Sequence, residues 1–521
     1  MNKWEMNLEK NEFRVKHETK ILLAVIIISS ILVKLHYLPF ELPLTADAFA
    51  YFEFAIETSI LKQYPEIVLP NDGWSLFLSF FFSILPSSNF IDFMNLQRLI
   101  SVGLSTLTII PIYFITKRFV SNPYTLVAVL IFAFEPRIIE NSILGVTEPL
   151  YILLGALVLW LFLSNESKKI YLSFLFAALF TIVRTEGIVL VFAISIIFLF
   201  KNKIKKISIK QYLISMSVFL TVLIPILLIR TEKTGYNHIF DRIGMYSSNL
   251  IVESNRENLG MYYFSEGIVN FIKFLGWDLI PIFIFCVPIG FFIILKNRNW
   301  DNLTIIFSTI ILLIPIYYIY SAGVNDSRYF YTLYPIFCIY FVAGLNKIIN
   351  KRKKEKLILV VIAIIIILGS LIFTDYRKMD ITHEREIITL TDMIMEKTEV
   401  VNEFWPESKY IPIKKIYNLE SFPTSIFELN YNPKLISEKT ETLEEYLKLG
   451  MTNGLTHLIV DEKDHSTYRM LFLKDIFDNE NKYPYLLKIF DSKNGDNEYR
   501  VKIFKIDYEK FERLSTKNIE K

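Results

Sequence analysis

Carboxylates and arginines recur at the ends of long apolar runs in this 521-residue sequence. Asp47 lies in Leu44-Thr45-Ala46-Asp47-Ala48-Phe49-Ala50-Tyr51-Phe52-Glu53, and Asp72 in the turn Pro70-Asn71-Asp72-Gly73-Trp74. Glu135, Arg137 and Glu140 flank Pro136, and Glu148 sits one turn into an apolar run. Arg184 and Glu186 occupy Val183-Arg184-Thr185-Glu186-Gly187, Arg230 begins a long polar stretch, and Asp326 and Arg328 precede Tyr329-Phe330-Tyr331. A positioned carboxylate can take a proton from a hydroxyl. A guanidinium pairs with two phosphate oxygens at once. Charge inside a bilayer costs ~2.5–3.5 kcal/mol even on the lenient insertion scale, so ionisable groups beside apolar runs need a reason to be there.

Each group also has a plainer reading. If residues 44–53 are helical, Asp47, Tyr51 and Phe54 share one face while Glu53 and Glu57 share another, and Asp47 reads equally as an N-cap or a solvated acid. Glu148 is satisfied by one structural hydrogen bond. Arg184 and Glu186 can pair across Gly187. Arg328 with its tyrosines fits an interfacial anchor, and Asp72 by itself is turn chemistry. His238 and His383 show no metal-ligand spacing and read as surface residues.

The elements that must hold these groups are membrane spans. Of all residues 53% are hydrophobic and only 21% charged, against roughly 25% charged in soluble domains. This excludes a disordered chain and an ordinary cytosolic enzyme. Apolar runs such as Ile21–Val33 and Leu357–Leu368 predict spans near 20–40, 94–116, 123–135, 143–164, 169–183, 187–201, 207–229, 271–295, 303–320, 329–346 and 357–374. Those at 123–135, 169–183 and 187–201 fall short of the ~20 residues an upright helix needs, so tilted, broken or half-inserted segments are expected there. Cys286 and Cys338 both lie in apolar runs and read as packing residues.

Basic residues orient the spans. Lys117, Arg118, Lys168, Lys169, Lys201, Lys203, Lys205, Lys206, Lys210, Lys296, Arg298 and the run from Lys347 to Lys356 fill one set of connections. The alternate ones at 41–73, 135–142, 184–186 and 321–328 hold only Lys62, Arg137, Arg184 and Arg328. The positive-inside rule makes the first set cytoplasmic. The N-terminus is then inside, and the acids and arginines named above gather outside. A signal peptide cut at Ala48-Phe49-Ala50 is disfavoured, because Lys34 and His36 separate that site from the apolar run; Lys34 is expected to snorkel to the interface. From Asp375 the composition turns charged. Thr456–Asp461, Leu486–Phe490 and Tyr499–Ile506 read as strands, and Glu384–Lys397 and Glu441–Leu449 as helices.

The fold class expected is mainly α: a polytopic helical membrane protein of about 11 spans with a small extracytoplasmic α/β C-terminal domain. Its parts are a cytoplasmic segment 1–19, a transmembrane domain 20–374 with outer loops 41–93 and 230–270, and a soluble domain 375–521. A secondary transporter carries polar groups near the bilayer midplane on repeated, discontinuous helices, and neither feature is visible. Acids and arginines on one face suit an enzyme acting on a lipid-linked substrate at the membrane surface.

In chain order these patterns resemble the GT-C superfamily of polytopic glycosyltransferases over roughly residues 20–350. The nearest branch is similar to protein mannosyltransferases and lipid A aminoarabinose transferases. The resemblance rests on the first-loop acid in TADAFAYF, the segment PNDGWSLFLSFFF at 70–82, Glu135-Pro136 leading to Gly145-Val146-Thr147-Glu148, the turn Arg184-Thr185-Glu186-Gly187, and Arg328-Tyr329 followed by Pro335. It implies a polyprenyl-phosphate-linked sugar donor, a protein, lipid or glycan acceptor, and transfer with inversion at the outer face. Carried over by position, Asp47 is the general base, with Asp72 and Glu148 as further catalytic acids. Arg328, Arg184 and Arg137 bind the donor phosphate, and Glu53, Tyr51, Glu186 and Glu135 position acceptor or sugar.

The sequence departs from mannosyltransferases in having Ala48 after Asp47, where they have adjacent Asp-Glu. It also lacks the Trp-Trp-Asp-Tyr-Gly signature of oligosaccharyltransferases, so no tightly held divalent metal, no other cofactor and no nucleic-acid partner are predicted. The alternatives are a flippase or transporter for a lipid-linked sugar, or a non-catalytic partner in cell-surface assembly.

Overall fold

The computed structural model describes residues 3–40, 42, 44, 46–62, 64–65, 69, 71–85, 90–164, 166–201, 206–235, 259–350, 352, 354–378, 386, 425–428, 442–452, 455–462, 472–494 and 500–519. They form two compact units. One comprises Met1–Leu38, Ala50–Pro86 and Met94–Lys378, the other Pro39–Phe49, Ser87–Phe93 and Met379–Lys521.

In the first unit the helices run in order as α1 (Lys3–His36), α2 (Ala46–Leu61), α3 (Gly73–Ile84), α4 (Phe90–Leu107), α5 (Ile109–Thr116), α6 (Asn122–Ala133), α7 (Pro136–Leu144), α8 (Glu148–Leu163), α9 (Ser167–Val183), α10 (Ile188–Lys201), α11 (Lys206–Thr234), α12 (Leu259–Leu279), α13 (Cys286–Lys296), α14 (Trp300–Ser321), α15 (Tyr334–Ile349) and α16 (Glu355–Arg377). The first residues of α2 and α4 belong to the second unit. Helix starts follow local chemistry. Pro123, Pro136 and Pro149 sit in first turns, where a missing N–H leaves no bond unmade. At α14 the Asn299 side chain accepts the backbone N–H of Asn302 at 2.7 Å, a side-chain N-cap. Gly145 adopts φ 79° and ends α7, a left-handed cap that glycine takes without a Cβ clash. It lets α8 leave at 119° to α7.

Every span expected from the sequence is helical, though fewer helices cross by length and composition. Among the described residues six are long and apolar enough: His17–His36, Ile91–Thr116, Ile209–Thr234, Trp300–Ser321, Ser327–Ile349 and Glu355–Arg377. Taking the bent α7–α8 pair as one span gives a seventh. The predicted spans at 123–135, 169–183 and 187–201 are α6, α9 and α10, of 12, 17 and 14 residues. The one at 271–295 is split between α12 and α13. Spans α1, α11 and α16 are each only 22% buried, whereas Ser327–Ile349 is 78% buried. The chain is an integral membrane protein.

Glycine sets the tightest helix contact, between α13 and α15. A Cβ on Gly290 would collide with the Tyr340 carbonyl, and one on Gly344 with that of Cys286. Small residues at such crossings let backbones approach closely. Both cysteines, Cys286 and Cys338, are unoxidised and buried. Lys34 does not snorkel, contrary to the sequence reading. It is fully buried, and its Nζ donates to Ser105 Oγ at 2.8 Å, since α4 offers it a hydroxyl where its own helix meets protein.

The second unit carries a four-stranded antiparallel sheet in the order β1-β2-β4-β3, made of β1 (Ser425–Glu428), β2 (Leu455–Asp461), β3 (Leu486–Asp491) and β4 (Val501–Ile506). Leu458 and Val460 of β2 alternate inward with Phe504 and Ile506 of β4, the two-residue period of a half-buried strand. Helices α17 (Leu443–Thr452), α18 (Phe472–Asp478) and α19 (Tyr508–Ile519) cover them with Leu447, Leu473, Ile476 and Phe511. The expected strands are thus present within a residue or two. The helix expected at Glu384–Lys397 and the middle of the 230–270 loop lie outside the described residues.

Candidate active site

Arg184 ends α9 in an extended conformation (φ −144°, ψ 126°), and a 3-10 turn, Thr185–Gly187, follows it. Gly187 is required there, because a Cβ would come within 2.7 Å of the Phe180 ring. The turn sends the arginine side chain across to α8, where Nη1 donates to Glu148 Oε1 at 3.0 Å. Glu186 Oε2 lies 3.8 Å from Nε. The guanidinium also sits 5.5 Å over the Tyr151 ring and 5.2 Å over that of Tyr329, within cation–π range. Tyr151 is fixed in turn by stacking on Phe180, 3.9 Å between centroids. The plainer reading paired Arg184 with Glu186, but Glu148 is the closer partner, at 3.0 Å against 3.8 Å.

These groups line a cleft of about 380 Å³, counted to its open mouth, together with Arg328 and the apolar side of α14 at Leu312, Pro315, Ile316 and Ile319. Arg328 enters on a second 3-10 turn, Ser327–Leu333. Asp326 holds that turn twice, accepting the Arg328 backbone N–H at 2.9 Å and its Nε at 2.6 Å. Arg184 and Glu148 are nearly inaccessible, whereas the Arg328 side chain is 31% exposed. One oxygen of Glu148, Oε2, is buried without a hydrogen-bond partner among the described residues. Two arginines thus stand beside a hydrophobic helix face, and a guanidinium can pair with two phosphate oxygens at once.

A second group braces the cleft from behind. Asp72 pairs with Arg230 and also accepts from Tyr64, and Arg230 Nη2 donates to the Ile182 carbonyl at 2.9 Å. Asp72 and Arg230 are almost wholly buried. Beside them Trp74 Nε1 and Gln97 Nε2 both donate to the Gly145 carbonyl, at 3.0 and 2.7 Å, tying the α7–α8 bend to α3 and α4.

Glu135 and Arg137 form a third, separate group. Arg137 Nη1 donates to Glu135 Oε1 at 2.8 Å and Nη2 to the carbonyls of Trp277 and Ile280, with Asp278 3.6 Å from Nε. Asp47 is exposed on the first turn of α2, Tyr51 is buried and Glu53 half-buried. The structure therefore brings Glu148, Arg184, Glu186 and Arg328 together. It sets Asp72 behind them and places Glu135 with Arg137 in their own cluster. Sequence reasoning passed over Tyr151, Tyr64 and Asp278. Asp278 had a signal, being a lone acid in Phe274–Cys286, but the tyrosines are indistinguishable from packing aromatics until the fold closes. Among the described residues no group of three or more His, Cys, Asp or Glu is placed to hold a metal ion.

Solved structures with the same fold include the oligosaccharyltransferase AglB of Archaeoglobus fulgidus in complex with an inhibitory peptide and a dolichol-phosphate. The two are 10% identical, the match covers 93% of this chain and 74% of that one, and the TM-score is 0.56. The same enzyme tethered with an acceptor peptide containing the NVT sequon matches at 12% identity, 92% and 74% coverage and TM-score 0.55. ArnT of Cupriavidus metallidurans bound to undecaprenyl phosphate gives 11%, 72%, 70% and 0.46. The chain thus shares the polytopic helical fold of AglB. More particularly, it belongs to the family described as predicted membrane proteins, DUF2079, which matches residues 84–392. A comparison with curated proteins gave no match.

Proposed function

We propose that the protein is a membrane glycosyltransferase that moves a sugar from a polyprenyl-phosphate donor to an acceptor hydroxyl. The observation that carries this reading is the cleft in which Arg184 and Arg328 face the apolar flank of α14. In the proposed complex the lipid phosphate lies against the two arginines and the first isoprene units run along Leu312, Ile316 and Ile319. As the sugar leaves, negative charge grows on that phosphate, so preorganised guanidinium groups favour the transition state over the ground state. Glu148 and the two tyrosines keep Arg184 in place.

We assign the acceptor base to Asp47 from the resemblance of its loop, and transfer with inversion follows from a single displacement. The lysine-rich connections put this chemistry on the outer, extracytoplasmic side of the cell membrane, with the N-terminus inside. The donor carries a hexose or pentose, the acceptor is a protein, lipid or glycan, and the bond broken is the one between sugar and lipid phosphate.

The test is a proteoliposome assay with labelled polyprenyl-phosphate sugars. Release of polyprenyl phosphate, lost in Arg184→Gln and in Asp47→Asn, is the expected result. Movement of the intact donor across the bilayer with no bond cleaved would overturn it and make the protein a flippase.

A further inference from the structure

The Glu135–Arg137–Asp278 cluster lies apart from the cleft, and its charges do not balance. Two carboxylates contact one guanidinium, and all three side chains are 0–2% exposed. Both carboxylates keep an oxygen, Glu135 Oε2 and Asp278 Oδ2, buried without a hydrogen-bond partner among the described residues. Removing an uncompensated charge from water is strongly unfavourable, so a cluster with net charge −1 at this depth requires one more positive charge. The carbonyls of Trp277 and Ile280 face the Arg137 guanidinium, which repels a metal ion, and among the described residues no group of three or more His, Cys, Asp or Glu is placed to hold one. The smallest cation remains.

We propose that this cluster is a proton-binding site, with one proton resident on Asp278. The two carboxyls are not equivalent. Glu135 occupies the residue just before the first turn of α7 without a side-chain capping bond, at the end where the helix dipole favours an anion, and it has the shorter contact to Arg137. Asp278 lies one residue from the C-terminus of α12, where the dipole opposes an anion. Its contact with Arg137 is 3.6 Å, too long for a hydrogen bond, and its other polar contact is the Tyr334 hydroxyl at 3.3 Å. Among the described residues, the other ionisable groups around the cluster are Tyr320 of α14, Asp326, Tyr331 and Cys338 near and along α15, and Glu140 of α7. All of these are anionic or neutral, and Glu140 is paired with Arg377 at 3.3 Å. With the proton in place the cluster is neutral and joins α7, α12 and α15. Without it, a bare anion sits at their junction.

The sign of the linkage follows. The folded chain holds one proton that an unfolded aspartate gives up by neutral pH, so this site makes stability fall as pH rises. Asp278→Asn removes that dependence.

The experiment is infrared spectroscopy of the full-length chain in lipid nanodiscs at neutral pH. The expected result is a carbonyl-stretching band of a protonated carboxylic acid that shifts on aspartate-specific 13C labelling, shifts again in Tyr334→Phe, and is lost in Asp278→Asn. The isotope arm needs no mutation, so a variant that fails to fold does not blunt the test. Absence of the band, or a band that follows glutamate labelling instead, would overturn the proposal. A thermal-stability series supplies the second readout: wild type should lose stability relative to Asp278→Asn with rising pH, and parallel curves would count against the site.

Discussion

Arg230 donates a hydrogen bond at 2.9 Å to the carbonyl of Ile182, two residues before Arg184. The same guanidinium holds Asp72, so the turn that opens α3 is fastened to the backbone that aims the cleft arginine. Gly73 fills the gap between them. A Cβ there would come within 2.6 Å of Val183 Cα and closer still to the Ile182 carbonyl oxygen.

Gly73→Ala therefore forces the Ile182–Val183 backbone to move. Overpacking of this kind costs about 1–3 kcal/mol. We expect a lower unfolding temperature and a larger fall in transfer rate than in donor affinity, because the displaced element carries Arg184. Calorimetry alongside the release assay checks both; unchanged stability would show that the backbone yields without strain.

Arg184→Gln should lower turnover by about 10²–10³, the usual effect of losing one preorganised charge-stabilising group. Arg184→Lys should rescue only part of it, since an ammonium lacks the planar fork that meets Glu148 and two tyrosine faces together. Single-turnover rates with a saturating donor distinguish the three proteins.

Asp72→Asn and Arg230→Met should each destabilise the chain by about 3–5 kcal/mol, because each leaves a buried charge without its partner. The double variant should be less affected than the sum of the two. A double-mutant cycle on unfolding in detergent measures the coupling, and simple additivity would contradict it.

In the second unit, Asp475 accepts from Tyr483, Lys482 and Asn479, and these hydrogen bonds pull its carboxyl down to about 2. A depressed carboxyl contributes stability that is complete above the unfolded aspartate value near ~3.9 and is lost as pH falls toward 2. Tyr483→Phe removes the first cause and should move the Asp475 titration upward, as read by NMR of labelled aspartate carboxyls.

The helices and the strands of the second unit were legible because hydrophobic period is written locally: Leu458, Val460, Phe504 and Ile506 alternate in sequence as they do in the sheet. The cleft was legible in part. Glu148, Arg184, Glu186 and Arg328 stand out as charges beside apolar runs. What the runs conceal is which charges meet. Arg137 resembles Arg184 in sequence context, yet Arg137, in the first turn of α7, meets Glu135 and Asp278, while the turn Thr185–Gly187 sends Arg184 to Glu148. Apolar length alone does not say which of the shorter helices, such as α6 with its 12 residues, pair up to cross.

The glycine crossing of α13 and α15 has a mechanical corollary. With Gly290 against the Tyr340 carbonyl and Gly344 against that of Cys286, neither helix can slide or roll without backbone meeting backbone, so the two behave as one stiff beam. Any breathing of the bundle must open a different seam, and helices α1, α11 and α16, each only 22% buried in their spans, have the fewest protein neighbours to part from.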